Sequence, residues 1–354
     1  MIIRQNIKDS NVAKMFQTNF INNLVVKKPN ARQQAFIDNF FDSPIDPTTS
    51  ISTEVPSLSN VIGSGQQQVG SFLGEKYTKV TCIHYFVLLH KVAKRHHNSE
   101  NFLPWHRAFL AEFEEDLGMP LPYWAWFDES GVNDVPIELT LSELQKTAAD
   151  LGETNYFANL KRFNPDGKLG SLSKEIQRFF KGFLQDAIAN NTGVIWFSDD
   201  SSKPAFSDSI EQGTGSISPG GMHNAIHGMV GRSSSPNTLG HLSRIAESPF
   251  DPIFWLHHAY IDKIWANLDQ LFAFWDQFFP LESGTRMASL YKGYPNFNYP
   301  SINPLPSGDL PPTIKSSSNL RSIATLDYNY DHSWLDLWIK QAPGFKPLVD
   351  HIEP

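Results

Sequence analysis

One segment organises the chain: Asp251-Pro-Ile-Phe-Trp-Leu-His257-His258-Ala-Tyr-Ile-Asp262-Lys-Ile-Trp265. It begins with an aspartate that can cap a helix and a proline that fits the first helical position, where its missing N–H would have no partner. Apolar residues follow on every face, so the segment is predicted to be a helix buried almost all round. Burying a polar ring without a hydrogen bond or a metal costs a few kcal/mol, and the two histidines therefore require partners elsewhere in the chain.

Length and composition bound the class of protein. The chain has 354 residues, of which 40% are hydrophobic and 13% aromatic, as in a globular protein of one large domain or two smaller ones. The formal net charge of −8, without any basic run, argues against binding to nucleic acid. No window approaches about eighteen consecutive apolar residues, so no membrane association is predicted. The first residues lack the apolar core of a signal peptide, which leaves localisation open between the cytoplasm and export by a partner.

Hydrophobic periodicity predicts a mainly α-helical chain with a few short strands. Four helices are predicted to form a central four-helix bundle with side chains directed at its core, at residues 75–95, 104–118, 222–230 and 252–274. Long loops are predicted at 43–74, 198–221, 231–250 and 295–319, and short strands at 192–197 and 326–331. No internal repeat or domain boundary is visible. The prediction is a single domain over 1–354, with its core at about 75–275 and a tail at about 332–354.

Most of the twelve histidines lie in two regions, residues 84–106 and 223–258. A single histidine on an apolar helix is more often a core residue than a ligand. The pattern His223-x-x-x-His227, however, places two imidazoles one turn apart, where both can hold one metal ion, and the next helix offers a third ligand in its histidine pair. No acidic residue stands at ligand spacing, which argues against an iron site of two histidines and one carboxylate. Neutral imidazole suits copper, zinc, iron and nickel.

Two motifs resemble the copper motifs of the tyrosinase branch of the type 3 copper proteins, and they occur in the same order. The first is H-N-S-E-N-F-L-P-W-H-R at residues 97–107, and the second combines H-N-A-I-H at 223–227 with the segment at 251–265. The resemblance implies a site for two copper ions, each held by three histidines, with dioxygen as co-substrate. Carried over residue by residue, it assigns to the first copper His84, His97 and His106, and to the second His223, His227 and His258.

Two of these assignments have competitors nearby. His90 lies on the same predicted helix as His84, but the segment around His84 aligns better with the first-ligand helix of the family, so the resemblance favours His84. In the histidine pair the family uses the second residue, so His257 is expected to support the site without binding copper. The single cysteine, Cys82, precedes the first ligand and not the second, and no cysteine–histidine thioether is expected.

Charged residues around the copper helices are expected to orient ligands and to anchor the chain. Asp262 lies one turn after the ligand histidine of its helix, and it is expected either to orient a histidine or to pair with Arg107. The two ends of the chain also resemble the ends of the family domain. Arg4 is expected to hold these ends together by pairing with Asp327 or Asp331.

The resemblance implies a phenol oxidase that hydroxylates monophenols to o-diphenols and oxidises o-diphenols to o-quinones. In the family a glutamate and an asparagine hold a water that takes the phenol proton, and Glu211 and Asn224 are the candidates in this chain. Gly228 and Ile245 are expected to lie at the substrate entrance, where a glycine leaves room for a larger phenol. A C-terminal domain that plugs the site in many family members is expected to be absent. The expected partner is a small phenolic substrate, and the oligomeric state is not predicted.

Other functions use some of the same residues. A catechol oxidase or an o-aminophenol oxidase has the same dicopper site without monophenolase activity. An oxygen carrier of the haemocyanin type needs the same six histidines beneath a covering domain, and the lack of repeated units in the sequence favours an enzyme. A mononuclear zinc site or a structural site would leave the first histidine cluster as ordinary core. The paired motifs favour the copper enzyme over these alternatives.

Overall fold

The computed structural model describes residues 2–42, 80–92, 97, 102–128, 130–162, 164–170, 174, 176, 210–211, 221–231, 239–278 and 326–331. Several predicted features lie outside these residues: the loops at 43–74 and 295–319, most of the loop at 198–221, the strand at 192–197 and the tail at 332–354. Across the described ranges, no helix is both long enough and apolar enough to cross a bilayer.

Helices dominate the described residues, which confirms the predicted fold class. The α-helices are α1 (Ser10–Asn19), α2 (Ala31–Asp42), α3 (Cys82–Val92), α4 (Phe102–Leu117), α5 (Leu141–Asp150), α6 (Tyr156–Asn159), α7 (Met222–Gly231) and α8 (Pro252–Phe278). A π-helical segment follows α1 (Phe20–Val26), and 3₁₀ turns span Ile137–Leu139, His241–Ser243 and Ser248–Phe250. The strands are β1 (Ile2–Arg4), β2 (Phe127–Asp128), β3 (Gly131–Val132) and β4 (Tyr328–Tyr330). β1 pairs with β4 in parallel, and β2 pairs with β3 in antiparallel fashion.

The four helices predicted for the bundle are present as α3, α4, α7 and α8. α8 contacts both α4 and α7. Phe86 of α3 lies edge-on to Phe109 of α4 at 5.8 Å and to Trp255 of α8 at 5.5 Å between ring centroids. Trp255 also stacks on Phe113 of α4 at 3.5 Å. Aromatic rings bury large apolar areas, so these contacts set how α3, α4 and α8 are rotated about their axes.

α8 begins with the predicted capping aspartate. Asp251 Oδ1 accepts the Ile253 N–H at 2.9 Å. The same carboxylate accepts two hydrogen bonds from Arg162, at 2.7 and 2.6 Å, and both side chains are fully buried. A buried charge is tolerated when it is paired and hydrogen-bonded. Arg162 therefore allows the capping aspartate to lie inside the core. The two residues are 89 positions apart, so the sequence near Asp251 did not indicate this ion pair.

Asp262 lies at the centre of a buried ionic cluster between α4, α8 and the chain ends. It accepts hydrogen bonds from Arg107 at 2.5 Å and from Arg4 at 3.4 Å. The hydroxyls of Tyr328 and Tyr330 on β4 donate to the same carboxylate at 2.5 and 2.6 Å. Of the two predicted roles for Asp262, the ion pair with Arg107 is confirmed, and the carboxylate joins α8 to α4 and β4.

Arg4 links β1 to this cluster, and its pairing differs from the predicted one. Instead of Asp327 or Asp331, it pairs with Asp262 and with Glu114 of α4, to which it donates two hydrogen bonds at 3.0 Å. Asp331 instead accepts a hydrogen bond from the Tyr123 hydroxyl at 2.6 Å. The backbone pairing of β1 with β4 already joins residues 2–4 to residues 328–330, and the Arg4 side chain reaches the buried carboxylates instead.

Cys82 lies at the start of α3 inside the core. Its thiol donates to Gln33 Oε1 at 3.6 Å. Burial, with a smaller contribution from the nearby Asp116 carboxylate, raises the pKa of this thiol. A protonated, buried thiol behaves as a small apolar group. The expected lack of a thioether at Cys82 stays a prediction.

Candidate metal centre

The first histidine cluster contains His90, His97 and His106, whose nearest nitrogen atoms all lie within 4.8 Å of one another. Nε2 of His90 and Nε2 of His97 are 3.3 Å apart. The His106 ring lies edge-on to both, with centroid distances of 5.6 Å to His90 and 5.0 Å to His97. α3 and α4 thus direct two imidazoles toward the third, which lies at position 97 between them.

His90 occupies the place for which the sequence favoured His84. Six residues along a helix correspond to about 120° around the axis and about 9 Å along it, so the two histidines of α3 cannot reach the same point. His84 Nδ1 accepts the Thr81 N–H at 3.1 Å, and its ring packs edge-on to Phe250 at 5.7 Å. His90 shares a face with Phe86, four residues earlier, which packs between α4 and α8. That spacing is a signal in the sequence that could have identified the inward face, and the alignment that favoured His84 did not use it.

The second cluster combines two histidines of α7 with the histidine pair of α8. His223 and His227, one turn apart, place their Nε2 atoms 3.1 and 3.3 Å from His258 Nε2. Nitrogen atoms of His223, His227 and His257 also lie within 4.8 Å of one another. The convergence on His258 is closer and involves the same ring atom of all three residues. The contacts at Nε2 favour His258 as the third ligand, and this assignment stays a prediction.

The two clusters face each other across α4 and α8. The rings of His106 and His258 stack at 4.3 Å between centroids, with 19° between their planes. The rings of His97 and His223 are 5.9 Å apart. Phe102 lies 4.8 Å from both His106 and His223 and fills the space beside them. The six histidines thus form one buried centre with two halves.

Backbone carbonyls hold two of the rings in the orientation that a metal requires. His106 Nδ1 donates to the Phe102 carbonyl at 2.7 Å, one turn earlier on α4. His227 Nδ1 donates to the Leu242 carbonyl at 2.6 Å, in the 3₁₀ turn that packs on α7. A proton held on Nδ1 leaves Nε2 as the neutral donor atom. In both residues Nε2 is the atom directed at the cluster.

Glu211 and Asn224 each contact one histidine of the centre. Glu211 is buried, and its Oε1 lies 2.7 Å from His97 Nδ1. Asn224 Oδ1 lies 2.9 Å from His223 Nδ1. The two residues therefore orient one imidazole of each half. Their predicted part in proton transfer stays a prediction.

His257 packs behind the second cluster. It is fully buried, its ring stacks on His223 at 5.3 Å with 19° between the planes, and it lies edge-on to His227 at 5.0 Å. Of the two residues expected at the substrate entrance, Ile245 is 60% exposed. Among the described residues, no atom that a Cβ on Gly228 would newly meet lies within 4 Å of its position. Their predicted role in substrate access stays a prediction.

Burial keeps four imidazoles of the centre neutral. It lowers the pKa of His97 and of His227 to about 4. Burial, with repulsion from neighbouring imidazoles, holds the pKa of His223 and of His258 well below the ordinary value. Neutral imidazole is the form that binds metal ions, and metal binding to a protonated histidine must first displace the proton.

The donor set fits two copper ions. Each half offers three imidazole nitrogens, and among the described residues the converging atoms include no carboxylate or thiolate. Nitrogen atoms separated by 3.1 to 3.3 Å are close enough to bind a common ion. Three nitrogens per ion leave coordination positions open between the halves, as a reactive site requires.

Buried histidines are expected to make the metal-free protein sensitive to acid. His84 and His241 lie outside the two clusters, and burial lowers their pKa to about 4 and about 3. In the unfolded chain their pKa is about 6.5, so below that pH the unfolded state binds more protons. Stability is therefore present above pH of about 6.5 and falls as the pH drops toward about 4.

Urea denaturation of the metal-free protein at neutral and mildly acid pH measures this effect. We expect the free energy of unfolding to fall by about 1–2 kcal/mol per buried histidine between about pH 7 and pH 5. His84→Gln retains a hydrogen-bond acceptor for Thr81 and removes one titrating group, and it should flatten the pH profile. An unchanged free energy of unfolding over this range would contradict the expectation.

Comparison with known proteins adds an independent observation. The family described as Tyrosinase, common central domain of tyrosinase, matches residues 74–271, which contain all six histidines of the centre. The chain is 31% identical over 193 residues to a tyrosinase of Streptomyces antibioticus and 29% identical over 197 residues to a tyrosinase of Streptomyces lincolnensis. Each match covers 48% of this chain, and the chain spans 63% of the length of these relatives.

Other matches extend over more of the chain at lower identity. Hemocyanin G-type of Enteroctopus dofleini is 24% identical over 284 residues, covering 75% of this chain and 9% of that protein. A solved functional unit of octopus hemocyanin gives a TM-score of 0.49 at 18% identity, covering 99% of this chain and 73% of that one. Latent apple tyrosinase gives a TM-score of 0.49 at 14% identity, covering 97% of this chain and 65% of that one. The matches thus include proteins named as tyrosinases and proteins named as hemocyanins.

Proposed function

Because the chain belongs to the tyrosinase family of type 3 copper proteins, we propose that it is a dicopper phenol oxidase. It hydroxylates monophenols to o-diphenols and oxidises o-diphenols to o-quinones, with dioxygen as oxidant and a small phenol as substrate. The observation that carries the proposal is the pair of facing triads, joined by the stacked rings of His106 and His258 at 4.3 Å. His90, His97 and His106 would hold the first copper, and His223, His227 and His258 would hold the second. When bound, the copper pair supplies dioxygen activation and electron storage.

The protein residues around the triads position the reactants. Glu211 and Asn224 contact His97 and His223, whose rings are 5.9 Å apart on opposite halves of the centre. A carboxylate and an amide so placed are suited to bind a water beside the phenol oxygen. The water takes the phenol proton while it passes one of its own protons to the carboxylate of Glu211. The aromatic wall formed by Phe102 excludes other water from the centre.

Substrate access is assigned to the side of α7 that carries Gly228. In the part of the chain that the structure describes, the space at this glycine and the exposed side chain of Ile245 support a partly apolar approach on this side. Such an approach suits a phenol that bears a larger substituent. The apolar core extends as one cluster from Ile7 to Tyr330, which supports a single catalytic domain that includes the chain ends.

The function is tested by loading the protein with copper and adding tyramine or catechol in separate assays. Quinone colour from both substrates is the expected result, and a bulkier monophenol should react at a similar rate. Colour from catechol alone would replace the proposal by a catechol oxidase. A charge-transfer absorption on exposure to dioxygen, without turnover of either substrate, would replace it by an oxygen carrier. The haemocyanin match keeps this last candidate open as an outcome.

Glu211→Gln is expected to separate the two activities. The amide cannot accept the phenol proton from the water, so kcat/KM for tyramine should fall about a hundredfold or more. Catechol oxidation, which needs less help with the first proton, should fall by less than about tenfold. Glu143→Gln, an exposed residue of α5, is the control and should change neither value.

Equal losses with both substrates would instead mean that Glu211 acts through the orientation of His97. Copper content should be measured in each variant, because a misplaced His97 would release the first copper. A Glu211→Gln variant that retains both ions and full tyramine turnover would contradict the assignment.

A further inference from the structure

A row of oxidisable rings leads away from the second histidine cluster. The ring of Trp126 lies 6.3 Å from His257, and the ring of Tyr260 lies 5.1 Å from Trp126. Tyr260 in turn stacks on Tyr123 at 6.0 Å, with 12° between the planes. All four side chains are buried. Tryptophan and tyrosine are the side chains most readily oxidised by one electron, and phenol oxidation at the copper centre uses none of these three.

The row ends at a site built to hold and release a proton. The Tyr123 hydroxyl donates to Asp331 Oδ1 at 2.6 Å, and Lys263 Nζ donates to the Tyr123 oxygen at 2.7 Å. The Asp331 side chain is 19% exposed and can exchange a proton with solvent. Burial, together with Asp331, raises the pKa of Tyr123, so this phenol keeps its proton until it is oxidised.

The middle of the row has a weaker proton acceptor. The Tyr260 hydroxyl donates to the backbone carbonyl of Phe127. An amide carbonyl is a far weaker base than a carboxylate, so an oxidised Tyr260 is less stable there than an oxidised Tyr123 beside Asp331. An oxidised Tyr260 therefore takes an electron from Tyr123, and Asp331 accepts the proton of the Tyr123 hydroxyl. Asp262, the carboxylate beyond Tyr330, is buried against two arginines and lies away from solvent.

We propose that Trp126, Tyr260 and Tyr123 form an electron relay that protects the copper centre when hydrogen peroxide oxidises it in the absence of phenol. Trp126 gives one electron to the centre, Tyr260 refills Trp126, and Tyr123 refills Tyr260. Tyr123 loses one electron, and its proton passes to Asp331. A catechol or ascorbate at the surface then returns the electron, and the proton returns from Asp331. Each cycle thus consumes one oxidising equivalent that would otherwise attack a ligand histidine. The relay rests on the proposed function.

Copper-loaded protein treated with hydrogen peroxide without phenol tests the relay. Freeze-quench EPR is expected to show a tyrosyl radical in the unmodified protein and in Tyr156→Phe, and none in Tyr260→Phe. The signal should be weaker in Tyr123→Phe, where only the less stable radical on Tyr260 can form. Tyr156 is a matched control, because it is a buried tyrosine that donates to a backbone carbonyl, that of Phe250 at 2.5 Å, outside the row. Peptide mapping should show oxidation of the ligand histidines several-fold faster in Tyr260→Phe than in Tyr156→Phe.

Two further measurements distinguish a failure of the relay from a failure of the proposed phenol oxidase function. Copper content and catechol turnover before peroxide should be the same in all variants, since no relay residue binds copper or substrate. If the unmodified protein oxidises catechol but forms no tyrosyl radical, or if Tyr260→Phe and Tyr156→Phe are damaged equally fast, the relay is overturned and the function stands. If catechol is not oxidised and no radical forms, both proposals are overturned.

Discussion

Replacing His258 with alanine is expected to remove the second copper ion and to abolish quinone formation. Nε2 of His258 lies 3.1 Å from His223 Nε2 and 3.3 Å from His227 Nε2, so its loss leaves the second ion with two nitrogens. Metal analysis should show about one copper per chain in place of about two. Phenol and catechol oxidation should both fall to the level of the copper-free protein, because activation of dioxygen at this centre would require both ions.

His257→Ala is the matched control, since it removes the neighbouring imidazole of the same helix. His257 stacks on His223 and is buried behind the cluster. Its loss should leave both ions bound, with the affinity for the second weakened by about 10–100-fold, as for other residues that orient a ligand. Chelator competition measures this affinity. The opposite pattern, with copper lost from His257→Ala and retained by His258→Ala, would reverse the assignment and make His257 the ligand.

Asp262→Asn is expected to destabilise the folded protein strongly. The change leaves the buried guanidiniums of Arg4 and Arg107 with one carboxylate fewer, and it weakens the hydrogen bonds from Tyr328 and Tyr330. Removing one partner of a buried ionic cluster costs about 3–5 kcal/mol, because the remaining charge is left uncompensated. Chemical denaturation of the copper-free variant measures the effect without a contribution from bound metal.

Glu143→Gln serves as the control for this prediction. Its pair with Lys146 on α5 spans 3.8 Å between side chains that are 41% and 70% exposed. An exposed pair contributes at most about 1 kcal/mol, so the control should unfold almost as the unmodified protein does. A loss of less than about 1 kcal/mol in Asp262→Asn would show that the cluster is as weak as a surface pair.

The Asp262 carboxylate makes the stability of the folded protein depend on pH in a second range, which is more acidic than the range in which the histidines act. Burial by itself would raise the pKa of Asp262, but Arg107 and Arg4, with the two tyrosine hydroxyls, hold it below the ordinary value. The ionised form therefore stabilises the folded state above the unfolded pKa of about 3.9, and this stability is lost as the pH falls further. Asp262→Asn should remove this second step and leave the histidine step at higher pH unchanged.

Local spacing predicted that histidines of the centre could share one metal ion, and the resemblance to a family implied that the metal is copper. His223 and His227 are one helical turn apart, and no contact with another element is needed to place them on one face. The aspartate–proline start of α8 likewise follows from capping, and it is confirmed by the Asp251 hydrogen bond to Ile253. Such features depend on residues within a turn or two of each other, where the geometry of a helix is nearly constant.

Contacts between distant segments decided which histidine of α3 faces the centre and which buried charges pair. Whether His84 or His90 faces the centre depends on the rotation of α3, which is set by the packing of Phe86 against α4 and α8. Arg4 reaches Glu114, 110 residues away, and Arg162 reaches Asp251, 89 residues away. A buried charge pairs with the opposite charge that the packed core places within hydrogen-bond distance, because leaving it desolvated and unpaired costs several kcal/mol.

The segment from Asp251 to Trp265 shows both kinds of information. By itself it determined a buried helix, its first residue and two imidazoles that require partners. Only the tertiary structure decided that His258 meets His106 of α4 and both histidines of α7, while His257 stacks behind them. Adjacent residues on a helix point about 100° apart, so the partners surrounding α8, and not the sequence of the pair, separate the ligand from its support.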